Sequence, residues 1–180
     1  MKAFASTLAL VISLASAAPC AAQMYPFSQR GSVGQTLAFT KIAIEYGRPT
    51  ARGRTLFGAL VPYDSVWHPG ADNATSISFA HDVVVETHPV KAGTYSVWLI
   101  PRERTAWTFI LNRAINVSHT PYPGADKDVL RVDVMPNMQT FVETLTYSFP
   151  VVQKDEATLR IQWGESGIGV RIKAPYQPVR

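Results

Sequence analysis

Apolar and polar residues alternate with a period of two along most of this chain. Ile42, Ile44 and Tyr46 alternate with Lys41, Ala43 and Glu45, and Ile77 and Phe79 with Ser76 and Ser78. Trp107, Phe109 and Leu111 keep the same step, as do Leu130, Val132 and Val134 around Arg131 and Asp133. Successive side chains of a strand point to opposite faces, so this pattern predicts half-buried β-strands and sends Arg131 outward. A first strand has Val33, Gln35 and Leu37 on one face. Further strands are expected at 83–86, 94–100, 141–149, 159–163 and 168–172, with a short strand or turn at 87–91. The last two would be joined by a hairpin turn at 164–167. Tyr95, Val97 and Leu99 oppose Ser96, Trp98 and Ile100, and apolar residues on both faces predict a central strand. No window carries a helical stripe; at most one helical turn fits near 55–60. About nine or ten short strands with turn signals every ~8 to 12 residues predict an all-β fold, a single antiparallel β-sandwich with a jelly roll as one candidate topology.

The alternation stops at Gly47, and residues 46–75, YGRPTARGRTLFGALVPYDSVWHPGADNAT, have no period. A long irregular segment with this much apolar content is expected to be functional rather than disordered. Leu56, Phe57 and Leu60 would seat its middle on the core, which leaves residues 47–54 and 67–73 as candidate binding loops. Arg48 and Arg54 carry guanidinium forks suited to carboxylate or phosphate, and the adjacent glycines would let backbone amides approach an anion. Trp67 could stack on a ring, and Tyr46, Asn73 and Arg131 complete the candidate set. His68 and Asp72 are the candidate acid–base pair of a hydrolase or isomerase. The competing structural readings stay open: Arg48 paired with Glu45 or Asp72, and Trp67 plugging the sandwich end while Asp72 and Asn73 satisfy turn amides. His68, Asp72 and a distant His81 are too weak a set to predict a metal site. Asp128 and Arg131 would fall on opposite faces of an extended strand. The loop between 113 and 128 is a candidate flap, and His81, His88 and His119 are expected to face solvent.

Composition changes the picture at the N-terminus. Lys2, the apolar run 3–18 and Cys20-Ala21-Ala22 match a secretory signal peptide cleaved near Ala22. Residues 23–32 would be a loose arm, 33–176 the sandwich and 177–180 a tail. The expected location is periplasmic or extracellular, with no transmembrane segment after the signal. The single cysteine, Cys20, lies in that signal, so the exported chain would have no thiol for a disulfide, a cysteine-based metal site or a nucleophile. A formal charge of +4 over 180 residues, interleaved rather than bunched, argues against a nucleic-acid partner. No P-loop, dinucleotide fingerprint, G-x-S-x-G or H-E-x-x-H occurs, and no cofactor is predicted.

Several phrases in order carry a family resemblance: YGRP at 46–49, GRTLFGALVPY at 53–63, VWHPGADNAT at 66–75, KAGTYSVWLIP at 91–101, WTFILN at 107–112 and DVLRVDV at 128–134. The chain resembles the bacterial secreted family of domain of unknown function 2911. The resemblance implies an exported all-β domain and no particular activity. The family pattern after the tryptophan reads W-R-x-G-A-N-E-A-T, where this chain has His68, Asp72 and Asn73, so a ligand of relatives would not carry over unchanged. The leading expectation is a domain that binds a small polar or anionic ligand, or a protein partner, through residues 47–54 and 67–73. The alternatives are the His68/Asp72 enzyme and an envelope protein with no small-molecule site.

Overall fold

The computed structural model describes residues 27–175. The expected signal peptide, residues 23–26 of the expected arm and the expected tail lie outside them. Ten strands form two antiparallel sheets: β1 Arg30–Leu37, β2 Thr40–Gly47, β3 Ser76–Phe79, β4 Val83–Val85, β5 His88–Val90, β6 Gly93–Ile100, β7 Trp107–Asn112, β8 Asp128–Val134, β9 Asn137–Val152 and β10 Glu156–Lys173. The first sheet has the order β1-β2-β3-β6-β7-β8 and the second β5-β4-β10-β9. Sequence neighbours lie side by side within each run, through short hairpins at β1–β2 and β6–β7 and through the long connections 48–75 at β2–β3 and 113–127 at β7–β8. No helix among the described residues is long and apolar enough to cross a membrane.

The alternating residues face the core as their spacing requires. Ile42, Ile44, Ile77, Val97, Leu99, Leu111, Leu145, Leu159, Ile168 and Val170 are wholly buried between the sheets. β6 is central, flanked by β3 and β7. Its second face is also covered: Trp98 and, on β7, Ile110 are buried, with the Tyr122 ring edge-on to Trp98 at 5.2 Å. The loop after β7 therefore roofs the outer side of the first sheet.

Three expectations are corrected. Residues 30–32 are not a loose arm, since Arg30, Gly31 and Ser32 pair with Gly47, Tyr46 and Glu45. No hairpin divides residues 159–172, which run through one 18-residue strand. Gly164, at φ 61, and its neighbours mark irregularities in the β9–β10 ladder instead; glycine in a strand signals a bulge as readily as a turn. In place of a helical turn at 55–60 the chain makes a wider turn, with Leu60 N–H bonding the Thr55 carbonyl at 3.3 Å and Val61 N–H the Leu56 carbonyl at 2.8 Å; Leu56 and Val61 are buried while Leu60 is exposed.

Candidate functional site

The irregular stretch is held to the sandwich mainly by backbone bonds. Ala51 N–H donates to the Glu143 carbonyl at 2.8 Å and Leu145 N–H to the Pro49 carbonyl at 2.9 Å. Residues 49–51 thus lie antiparallel along the outer edge of β9, with Thr50 opposite Thr144. Glu143 adds its side chain, whose Oε1 accepts the Arg52 N–H at 2.6 Å. Further on, Trp67 and Leu99 exchange N–H···O bonds of 2.7 and 2.9 Å, so residue 67 pairs with β6 like a strand. Residues 49–51 thereby cover the part of the β9 edge around Thr144 and close that part to adventitious strand addition.

The two candidate loops meet, but through backbone. A Cβ on Gly47 would collide with the Ala71 carbonyl, so glycine is needed for this close approach. The side chains diverge from there. Arg48 lies over Gly31 of β1, where an added Cβ would be 2.5 Å from Arg48 Cδ; it is neither the Glu45 nor the Asp72 partner expected, and Glu45 instead faces Arg30 at 4.0 Å. Arg54 folds back on its own turn, Nε donating to the Ala51 carbonyl at 2.9 Å and Nη2 to Thr50 at 2.6 Å. Trp67 stacks on Trp163 at 6.1 Å, near parallel, and meets Phe57 edge-on at 5.7 Å. It packs against the core as a plug. Tyr46 is buried against Tyr147, and its hydroxyl accepts the Tyr147 N–H at 3.3 Å.

His68 is interior too, with 4% of its surface exposed. Its Nε2 accepts the Thr75 N–H at 2.6 Å, which places the neutral ring's proton on Nδ1. Burial, followed by the charges of His119 and Arg30, holds its pKa down at about 3. Protonation would also set an N–H donor against the Thr75 donor. The ring is therefore neutral near pH 7, and its acceptor nitrogen is occupied. Thr75 Oγ1 and Tyr147 OH both donate to the Pro69 carbonyl, at 3.0 and 2.8 Å, which ties Pro69 to both sheets, while the His68 ring lies beside Trp98 and His119 under the loop after β7. Asp72 is exposed at φ 62, a left-handed position that Asp tolerates better than most residues. Its backbone carbonyl, not its carboxylate, accepts His119 Nδ1–H at 3.0 Å. Asn73 is exposed and pairs with Ser118 through backbone.

Arg131 and Asp128 do not fall on opposite faces. The β7–β8 register shifts between Leu111 and Asn112, and this bulge turns the Asp128 carboxylate to Arg131 Nε at 2.6 Å. Asn112 Nδ2 donates to the same carboxylate at 2.8 Å. Tyr122 OH donates to it as well at 2.5 Å and accepts from Arg131 Nη2 at 3.2 Å. Burial, then the bond to Asp128, pushes the Tyr122 hydroxyl's pKa up. The quartet fastens the loop after β7, so Arg131 serves that loop. Among the described residues no group of three or more His, Cys, Asp or Glu side chains could hold a metal, and His81 lies away from His68, next to Thr40.

One concavity takes in a candidate residue. It has a volume of about 260 Å³ and is lined by polar Arg54, Tyr63, Glu165 and Ser166 together with apolar Leu56, Phe57, Phe141 and Trp163. Exposed Met138 also lines it. A larger hollow of about 540 Å³ is lined by Phe39, His81, Asp82 and Pro175 and involves none of the candidates. Sequence reasoning passed over Glu143, Tyr122 and Phe141. Phe141 keeps step with Leu145 and Tyr147, which are buried, so alternation gave no signal of its exposure, which follows from the register shifts between β9 and β10; the other two matter only through partners distant in sequence. Neither a curated protein nor a solved structure matches this chain. A family model described as a protein of unknown function (DUF2911) matches residues 28–172, in line with the phrases quoted above, and the chain belongs to that family.

Proposed function

We propose that this is an exported β-sandwich that binds a ligand joining an anionic group to an apolar body, in the hollow where Arg54 meets the β9–β10 end of the second sheet. The observation that carries this reading is the lining: the Arg54 guanidinium and the Tyr63 phenol beside apolar Leu56, Phe57, Phe141 and Trp163, with Phe141 53% exposed. Glu165 and Ser166 line the hollow as well, and the exposed Glu165 carboxylate weakens the attraction for an anion. Arg54 spends two N–H groups on its own turn; a guanidinium has five, so three stay available for an anion. Large apolar side chains left at the surface beside a polar rim are a feature of binding surfaces. A volume near 260 Å³ is small for a ligand pocket, so the ligand is small, or only one part of it enters.

The acid–base alternative has no comparable support. His68 is buried with its acceptor nitrogen used, and Asp72 is exposed. Export rests on the first 22 residues, and secretion from a bacterial host should yield a chain beginning at Gln23, read by intact mass.

The binding test is a calorimetric titration of the chain from Gln23 with aromatic carboxylates, benzoate and phenylacetate, against benzyl alcohol as the uncharged control. Saturable binding of the carboxylates, at least tenfold weaker in Arg54→Ala and in Phe141→Ala with melting points within a few degrees of the parent, supports the reading. Heats indistinguishable between carboxylates and benzyl alcohol, or unchanged in both variants, would sink it and leave the envelope-protein alternative.

A further inference from the structure

The β9 edge contains the same irregularity twice. Between the pairs Gln162↔Thr146 and Gly164↔Val142, two steps along β10 match four along β9; between Gly164↔Val142 and Ser166↔Met138 the mismatch recurs. The first of these swellings is occupied from outside by the chain itself. Residues 49–51 dock there, with the Glu143 carbonyl accepting from Ala51 and the Leu145 N–H donating to Pro49. Four residues earlier, the equivalent groups are the Gln139 carbonyl and the Phe141 N–H, and no strand or bridge among the described residues lies on their outer side. The chain cannot continue along the edge, because Arg52 and Gly53 take left-handed φ values of 52 and 67 and turn it away. That turn delivers Arg54 to the junction, and the hollow lies beside the second swelling, with Met138 and Phe141 at its margin.

We propose that this vacant stretch of β9 receives an extended peptide segment from another protein, one that ends in an apolar residue and a free α-carboxylate. The inference rests on the binding role given to the hollow and names its ligand. An open strand edge satisfies an extended backbone, as residues 49–51 already demonstrate one swelling away. The hollow suits one large apolar side chain better than a drug-sized molecule. The remaining N–H groups of Arg54 suit a carboxylate at the peptide's end. With Arg54 at the Val142 side of the vacancy, a peptide presenting its C-terminus there runs parallel to β9. A parallel segment cannot repeat the antiparallel pairing of residues 49–51. One of its residues, opposite Thr140, would instead bond both the Gln139 carbonyl and the Phe141 N–H, and with only those two backbone bonds the side chain and the carboxylate carry the selectivity.

The test uses hexapeptides displayed with free C-termini, selected on the immobilised chain from Gln23. The expected result is enrichment of a large apolar C-terminal residue. One selected peptide is then synthesised as acid and as amide: the acid should bind at least tenfold more tightly, the difference should vanish in Arg54→Ala, and Phe141→Glu should abolish binding while far-ultraviolet circular dichroism stays that of the parent. Hydrogen exchange on binding should slow at residues 138–142. If benzoate and phenylacetate bind but the selection yields no C-terminal preference, or acid and amide bind alike, the peptide inference fails and the hollow remains a small-molecule site. If neither carboxylate nor peptide binds, both readings fail. Self-association of the chain through this edge, seen by sedimentation and lost in Phe141→Glu, would replace the foreign peptide with a second copy and overturn the inference.

Discussion

His68 carries a buried N–H at Nδ1 with no hydrogen-bond partner, a cost of about 1–3 kcal/mol by the usual penalty for such a group. The Thr75 bond at Nε2 and the tilted ring contact with Trp98, centroids 5.6 Å apart, offset it. Its pKa is depressed from 6.5 to about 3, so the unfolded chain binds this proton more readily than the folded one. The contribution is complete above pH 6.5 and is lost as pH falls from there toward 3, at up to roughly 1.4 kcal/mol per unit. Between pH 6.5 and 5, above the ordinary carboxylate range, this histidine should dominate acid destabilisation. His68→Gln can keep an acceptor for Thr75 and should flatten urea-derived stability over that window. An unchanged slope would mean that the ring already titrates freely in the fold. The residue scale also shows what a tryptophan–histidine pair next to glycine can conceal. Reactive side chains in a polar-looking run were legible, but their direction depended on Leu99 and Thr75, and both partners turned the run inward.

At the scale of elements, the loop after β7 is fastened by Tyr122, Asp128, Arg131 and Asn112 over a buried Trp98. A second fastening joins Ala74 N–H to the Val117 carbonyl and His119 to Asp72. Tyr122→Phe removes one donor and one acceptor while keeping the ring against Trp98. It should cost about 1–2 kcal/mol of stability and speed amide exchange selectively at residues 113–124. Uniform acceleration across the sandwich would instead show that the loop and sheet open as one unit. The strands themselves were readable because a period of two leaves each face little choice. β10 was not: a Gly-rich interval inside a strand has the same composition as a hairpin, and only the long β9 alongside it decides for continuity. The Asp128–Arg131 pair failed for a related reason, since a bulge changes facing without changing the pattern that surrounds it.

In the molecule as a whole, residues 46–75 join the two sheets. Trp67 packs on Trp163 from the second sheet and pairs by backbone with β6 of the first, while residues 49–51 reach β9. Trp67→Ala should therefore cost about 3–5 kcal/mol, as for a large core aromatic, whereas Arg48→Ala, on an exposed side chain, should stay within about 0.5 kcal/mol. Paired chemical denaturation curves measure both; equal effects would mean that the stretch is not anchored through its tryptophan. Periodicity alone determined the all-β class, the inward faces of most strands and the place where regular structure stops, because those depend on local alternation and on burial of one face. The tertiary structure decided which parts of the irregular stretch remain accessible. That outcome depends on contacts between residues far apart in sequence: Ala71 against Gly47, Glu143 against Arg52, and the β9–β10 end beside Arg54. A pattern of types along a chain cannot encode such distances, and so it marked the stretch while leaving open which side chains it buries.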